Sequence, residues 1–206
     1  MEAFDPDCLN LVTTCRIAFR SKALDRALKV VARIRDEGLS LIHIYNDKVC
    51  FLILGAGTEY SKLERFLQEE HPSNVVLHQA LPKAEYDQMI ACCDVGMIFL
   101  DYRFTIPNFP SRLLSYLQVH LPVLAAVDSN TDVGKIIEEN GFGNWCESRD
   151  PEDFSRCLEH FYDRKENKEM GERGRRYLEK SFTSEIGYQI IMKQVSRPKK
   201  SQGAAI

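Results

Sequence analysis

Residues 108–128, NFPSRLLSYLQVHLPVLAAVD, have the pattern of a coil, a helix and a buried strand in succession. Pro110 fits the first turn of a helix, and the hydroxyl of Ser111 can accept hydrogen bonds from the backbone amides there. Leucines and Tyr116 then recur at helical spacing. Pro122 ends the helix, and the apolar run after it is typical of a parallel strand covered on both faces. The stretch therefore predicts a helix packed against a parallel sheet.

The start of this helix is also a candidate phosphate site. A helix that begins just past the end of a strand presents N–H groups and a partial positive charge at its first turn. Anions bind at such positions, and Arg112 adds a full positive charge at the same place. We therefore expect a phosphate group to bind where the helix begins.

Strands and helices alternate along the rest of the chain. The predicted strands are 9–14, 49–54, 75–78, 95–100, 123–127 and 143–146. Further helices are predicted at 22–37, 59–70, 82–91, 131–140, 151–163, 167–180 and 184–195. Residues 39–47 are either an extra edge strand or a long connection. Alternation of this kind predicts right-handed crossovers and a parallel sheet.

We find no internal repeat and no linker, so the sequence predicts a single α/β domain over residues 1–196. Residues 197–206 are predicted to be a disordered tail.

The net charge of −3 argues against a bulk nucleic-acid binder. Seven cysteines without metal-ligand spacing are typical of reduced thiols in a cytoplasmic protein.

Three cations, Arg16, Arg20 and Lys22, lie between the first strand and the first helix. This connection belongs to the carboxyl edge of a parallel sheet, where ligands bind. The cations can neutralise a diphosphate there, or they can form a solvated basic cap. We favour the diphosphate interpretation because of the position.

Other motifs have simpler interpretations. The glycine pair around Ala56 lacks the third glycine of a dinucleotide fingerprint, so a tight turn and a ligand contact at Gly57 are equally good interpretations. The triplet 5–7, DPD, is interpreted as a solvated tail, and no metal site is predicted. The basic run 173–180 is interpreted as a solvated face. The five histidines do not cluster in sequence, and the aromatic residues Phe142, Trp145 and Tyr162 are interpreted as core.

Several segments occur in a familiar order: KALD (22–25), FLILGAGTE (51–59), QALP (79–82), DVGM (94–97), PSRLLSYL (110–117) and LPV (121–123). In order and spacing they resemble the C-terminal, nucleotide-sugar-binding half of a GT-B glycosyltransferase, the family called glycosyl transferases group 1. The resemblance covers nearly the whole chain. It implies a Rossmann-like three-layer sandwich followed by C-terminal helices.

The resemblance also implies roles for individual residues. Lys22, with Arg16 or Arg20, would contact the donor diphosphate. Backbone groups near Ala80 and Leu81 would bind the base. The remaining implied donor-binding residues are Gly57, Pro110, Ser111, Arg112 and Ser115. No catalytic residue and no metal ligand is assigned.

The sequence departs from the family pattern at the donor loop. The two glutamates that are usually eight residues apart are replaced by Pro107 and Ser115. His120 stands where the family has a glycine before its x-Pro-Val, and Ala23 replaces another glycine. A serine can bind a ribose hydroxyl only as a neutral partner, and charged partners are roughly twice as strong.

The resemblance implies the donor-binding half of a metal-independent glycosyltransferase. It would transfer a hexose from a nucleotide-diphosphate sugar, with UDP favoured over GDP, to a polysaccharide or lipid-linked acceptor of a bacterial surface glycan. The acceptor half would be its partner, and this chain alone would be inactive. We expect a cytoplasmic location, with peripheral membrane contact at the inner face through the full-length protein, and no nucleic-acid partner. The alternatives are a non-catalytic interaction module, which the missing glutamates support, and a sugar-nucleotide epimerase of the same fold.

Overall fold

The computed structural model describes residues 9–16, 49–58, 60–72, 74–101 and 108–196, with only the backbone described at 14–16. Its strands are β1 (Leu9–Arg16), β2 (Val49–Ala56), β3 (Val75–Gln79), β4 (Val95–Phe99), β5 (Val123–Val127) and β6 (Gly143–Glu147). Its described helices are α1 (Tyr60–Glu70), α2 (Lys83–Ile90), α3 (Arg112–Gln118), α4 (Val133–Glu139), α5 (Pro151–Glu159), α6 (Arg164–Ser181) and α7 (Ser184–Val195). The predicted helix 22–37, the segment 39–47, the triplet 5–7 and the tail 197–206 lie outside the described residues.

All six described strands run parallel, in the order β3-β2-β1-β4-β5-β6. Leu11 of β1 is paired with Phe51 of β2 on one side and with Val95 of β4 on the other. The strand order reverses between β1 and β4, because β2 and β3 build outward on one side and β4 to β6 on the other. This is a Rossmann-like sheet, as the sequence predicted. In such sheets, ligands bind at the carboxyl ends of the strands, beside the reversal point.

Both faces of the sheet are buried. Alternate residues of β1 point to opposite faces, so Leu11 and Val12 belong to different hydrophobic clusters and are each fully buried. Helices α1 and α5 pack on the Leu11 face, while α2, α3 and α4 pack on the Val12 face. This two-sided burial explains why the strands are unbroken apolar runs.

Several helix ends differ from the sequence prediction, and two of the differences have a clear cause. Helix α5 ends at Glu159, four residues earlier than predicted, because Asp163 caps the next helix instead. The Asp163 carboxylate accepts from the amides of Lys165 (2.8 Å) and Glu166 (3.1 Å), an arrangement that only a residue outside the helix can make.

Helix α3 ends at Gln118 because His120 adopts a left-handed backbone conformation, with φ of 59°. Leu121 follows outside the helix and is nevertheless buried. The resembled family usually has a glycine at this position. Glycine adopts the left-handed conformation easily because it has no Cβ to clash.

Among the described residues, no helix combines the length and the apolar character that a membrane span requires.

Candidate functional site

The segment 108–111, which we call the α3 lead-in, lies at the carboxyl edge of the sheet. Thr131 follows β5 in the chain, and its hydroxyl donates a hydrogen bond to the Asn108 carbonyl at 3.0 Å. Asp128 in turn holds Thr131, because its Oδ1 accepts from the backbone amides of Asn130 (2.9 Å) and Thr131 (3.1 Å). Asp128 and Thr131 are both buried. The loop after β5 therefore fixes the α3 lead-in.

Tyr116 holds the middle of α3 against the sheet. Its ring covers Gly96 of β4 so closely that a Cβ at that position would lie 2.5 Å from Tyr116 Cδ2. The Tyr116 hydroxyl donates to the Met97 carbonyl at 3.2 Å. Because β4 and β1 are the two strands at the reversal of strand order, this contact places α3 beside the point where ligands bind.

The predicted side-chain cap at Ser111 is wrong. Ser111 already has helical backbone angles, and its side chain makes no capping hydrogen bond. The turn is closed by backbone bonds instead, from the Leu113 amide to the Pro110 carbonyl (2.9 Å) and from the Leu114 amide to the Ser111 carbonyl (3.1 Å). The Ser111 side chain is exposed and is not needed for the cap.

Ser111, Arg112 and Ser115 lie near one another on one side of α3. Residues three and four apart are neighbours on a helix surface, and these positions differ by three and four. Ser111 is exposed, while Arg112 and Ser115 are half-buried; the buried side of α3 is formed by Leu113, Tyr116 and Leu117. At seven residues, α3 has a small dipole, so among the residues of α3 the guanidinium of Arg112 supplies the positive charge.

Gly57, Ala80 and Leu81 lie on the other side of β1. Gly57 follows β2, and Ala80 follows β3, whose last residue Gln79 is paired with Gly55. Gly57 and Ala80 are exposed, whereas Leu81 is half-buried against the cluster that also contains α3. The structure thus brings two groups of predicted site residues to the same edge of the sheet, on opposite sides of β1.

The diphosphate contacts predicted for the three cations are not tested. The backbone of Arg16 ends β1, where it is paired with Ala56, so its position is at the carboxyl edge as expected. The Arg16 side chain, Arg20 and Lys22 lie outside the described residues. Their contacts to a diphosphate therefore stay a prediction.

Sequence analysis did not identify two supports of the site. The first is the pair Asp128 and Thr131; the sequence DSNT directly after a strand is the pattern of an Asx-turn and carries that signal. The second is an aromatic chain in which Phe109 of the α3 lead-in contacts Phe182 (5.3 Å between ring centroids) and Phe182 contacts Tyr177 (5.9 Å). No local pattern pairs residues so far apart in sequence.

The sequence analysis interpreted the basic run on α6 as a solvated face, but two of its arginines make structural contacts. Arg173 donates to the carbonyl of Gly141, which follows α4. Arg175 donates to the Gln118 carbonyl at the end of α3 (3.0 Å) and pairs with Glu179 (2.8 Å). Both arginines satisfy carbonyls at helix ends and so join α6 to the layer that carries the site.

Within the part of the chain that the structure describes, no three His, Cys, Asp or Glu side chains come together as metal ligands would. Oxygen and nitrogen groups for a phosphate and a ribose are present on α3, and exposed backbone is present after β2 and β3. Groups of this kind are the ones that contact a nucleotide, and no catalytic base is assigned among the described residues around them.

Comparison with known proteins identifies the family. The family described as "Glycosyl transferases group 1" matches residues 9–177, which contain every described element of the sheet. The chain belongs to this family. The resemblance that the sequence motifs indicated is therefore confirmed, and the α/β architecture is the GT-B one.

Among individual relatives, the chain is 25% identical over 116 residues to "Probable glycosyltransferase WbjE" of Pseudomonas aeruginosa. The match covers 56% of this chain and 29% of that protein. The chain thus spans under a third of the length of this relative.

Solved structures share the fold at low identity. A complex of S. aureus TarM with UDP has a TM-score of 0.72 at 14% identity, covering 93% of this chain and 36% of that one. WaaG, a glycosyltransferase involved in lipopolysaccharide biosynthesis, has a TM-score of 0.63 at 16% identity, covering 94% of this chain and 48% of its own. The pneumococcal O-GlcNAc transferase GtfA, in complex with UDP and GlcNAc, has a TM-score of 0.62 at 17% identity, covering 93% and 37%.

Proposed function

We propose that this chain is the donor-binding part of a glycosyltransferase that takes its sugar from a UDP-linked hexose. The observation that carries the proposal is the position of Ser111, Arg112 and Ser115, held at the carboxyl edge beside the strand reversal in a chain of the group 1 family. The UDP complexes of TarM and GtfA support UDP as the nucleotide.

In this proposal, the two groups of site residues bind different parts of the donor. Exposed backbone at Ala80, next to Leu81, contacts the base. Ser115 accepts or donates one hydrogen bond to a ribose hydroxyl, and Ser111 with Arg112 binds phosphate. As the glycosidic bond breaks, negative charge grows on the leaving nucleotide diphosphate, and the Arg112 guanidinium stabilises it electrostatically. No step needs a metal ion.

The acceptor and the setting are finer parts of the same proposal. We propose transfer to a polysaccharide or lipid-linked acceptor of a bacterial surface glycan, which the name of WaaG supports. The catalytic base would come from an acceptor-binding half, and the complete protein would work at the inner face of the membrane. The chain spans only 29–48% of the relatives named above, so it would bind the donor without turning it over.

Isothermal titration calorimetry with UDP and GDP tests the proposal. We expect weak UDP binding, reduced about tenfold by Arg112→Gln because one charge-assisted hydrogen bond is lost. Arg156→Gln is the matched control, since Arg156 pairs with Asp153 on the outer side of α5, away from the site. Wild-type protein that binds neither UDP nor GDP would overturn the donor-binding proposal.

A second candidate, the non-catalytic interaction module, is favoured by one observation. Ser115 occupies the half-buried α3 position at which the resembled family has a carboxylate. Ser115→Glu discriminates between the two: a gain in UDP affinity is expected if the site still binds a donor. The interaction module would be favoured by two results together. Ser115→Glu would still not bind nucleotide, and the wild-type chain would form a stable complex with a separate acceptor-domain protein.

A further inference from the structure

Two free cysteines lie where β6 meets α5. Cys146 is 2% exposed and belongs to the same hydrophobic cluster as Phe154 and Leu158 of α5. Cys157 is half-buried on α5 and packs against that cluster. Trp145, the residue before Cys146, packs on the opposite face, as strand alternation requires. Both thiols are therefore on the α5 side of the sheet.

Cys157 reaches the backbone of β6 directly before Cys146. The Cys157 Sγ lies 3.4 Å from the carbonyl oxygen of Trp145, at the peptide group that leads into Cys146. The interaction between the two thiols is the largest influence on the pKa of each, which places their side chains next to each other. A disulfide needs the Cα atoms of its two cysteines within about 7 Å, a separation that a strand and the helix packed directly on it can supply.

The two thiols are unequal in a way that suits sequential reaction. The interaction with Cys146 lowers the pKa of Cys157, although burial opposes the shift, and the nearby Arg156 adds to the lowering. The same interaction, together with burial, raises the pKa of Cys146. Cys157 is thus the more accessible and more easily ionised thiol, and Cys146 is the buried second thiol.

We propose that Cys146 and Cys157 form a thiol–disulfide exchange site that takes a small disulfide, such as glutathione disulfide, and closes into an intramolecular disulfide. The site does not depend on the proposed function, since neither cysteine belongs to the donor-binding residues. The bond would join β6 directly to α5, next to the turn that begins after Glu147 at the carboxyl edge.

The exchange balances in two steps. The Cys157 thiolate attacks one sulfur of glutathione disulfide, the disulfide bond breaks, and one glutathione thiolate leaves and takes up the proton that Cys157 lost. Cys146 then attacks the Cys157 sulfur of the mixed disulfide. Its proton goes to the second glutathione thiolate as that group leaves. The net reaction converts two protein thiols and one glutathione disulfide into one protein disulfide and two glutathione molecules.

Peptide mapping by mass spectrometry tests the proposal. Reduced wild-type protein is incubated with glutathione disulfide, quenched with acid, alkylated and digested without reductant. We expect the Cys146–Cys157 disulfide as the main product. Cys92→Ser is the matched control. Cys92 is exposed, and its thiol donates a hydrogen bond to the Gln88 carbonyl of the preceding helix turn. This variant should give the same product.

The single variants separate the two roles. Cys146→Ser should stop at a mixed disulfide on Cys157, and Cys157→Ser should leave Cys146 unmodified because Cys146 is buried. Wild-type mapping decides the matter if either variant fails to fold. A wild-type protein that keeps both thiols reduced, or that forms another cysteine pair in preference, overturns the proposal.

Discussion

Thr131 helps to fix the position of the α3 lead-in. Thr131→Val keeps the shape of the side chain but removes the hydroxyl that donates to the Asn108 carbonyl. We expect unfolding free energy to fall by about 1 kcal/mol, the usual value of one hydrogen bond. Urea denaturation measures this loss.

Thr131→Ser is the matched control, because it keeps the hydroxyl and should retain most of the stability. UDP affinity should fall in the Val variant and recover in the Ser variant. If both variants bind and unfold like the wild type, Thr131 does not position the lead-in.

Tyr162 makes stability depend on pH in the alkaline range. Burial, aided by the nearby Glu159 carboxylate, raises the pKa of Tyr162 from 10 to about 12. Between these values the folded protein holds a proton that the unfolded chain has released, so stability falls as the pH rises through this window and is unaffected well below it.

Tyr162→Phe removes this ionisation, so its melting temperature should fall less steeply than that of the wild type between about pH 10 and pH 12. Tyr188→Phe is the control, since Tyr188 is 59% exposed, and it should follow the wild type. An equal alkaline slope in wild type and Tyr162→Phe would show that another group is responsible.

At the scale of elements, α6 can approach the end of α3 only because it carries glycine there. A Cβ at Gly171 would lie 1.9 Å from the His120 carbonyl oxygen, and one at Gly174 would lie 2.7 Å from Leu117 Cδ2. Across the same contact, His120 pairs with Glu172 at 3.0 Å. The turn that follows α3 is therefore built against α6.

Gly171→Ala should destabilise the protein by roughly 2 kcal/mol or more, because backbone atoms must move to admit the methyl group. Gly187→Ala on α7 is the matched control: nothing lies within 4 Å of its Cβ position, and alanine is the better helix former, by about 0.5–1 kcal/mol. Thermal unfolding compares the two. A neutral Gly171→Ala would show that α6 is not packed this closely.

Element identity was predictable where burial alone decides it, as in β5, whose predicted bounds are confirmed. Helix ends were harder, because they depend on single contacts. Helix α5 is shorter than predicted because Asp163 caps α6. The carbonyl of Gly141, just after α4, accepts a hydrogen bond from Arg173, which is 32 residues away in sequence. Local patterns carry no information on such a partner. The same limit explains why the Asp128–Thr131 support of the site was missed.

At the scale of the whole molecule, the parallel sheet brings residues that are distant in sequence to one edge. Gly57, Ala80 and Ser111 lie in three different connections, yet each follows a strand whose carboxyl end is at this edge. At the opposite edge, the Asp94 carboxylate accepts a hydrogen bond from the Asn10 amide at 2.8 Å. Because ligands bind at the carboxyl ends of parallel strands, function is expected at the edge that carries Gly57, Ala80 and Ser111.

Titration of isotope-labelled protein with UDP, followed by amide NMR shifts, tests this most directly. We predict saturable shifts at Gly57, Ala80 and residues 111–115, with Asn10 and Asp94 unchanged. Shifts at Asn10 and Asp94 without any at 111–115, or no saturable shift anywhere, would contradict the account.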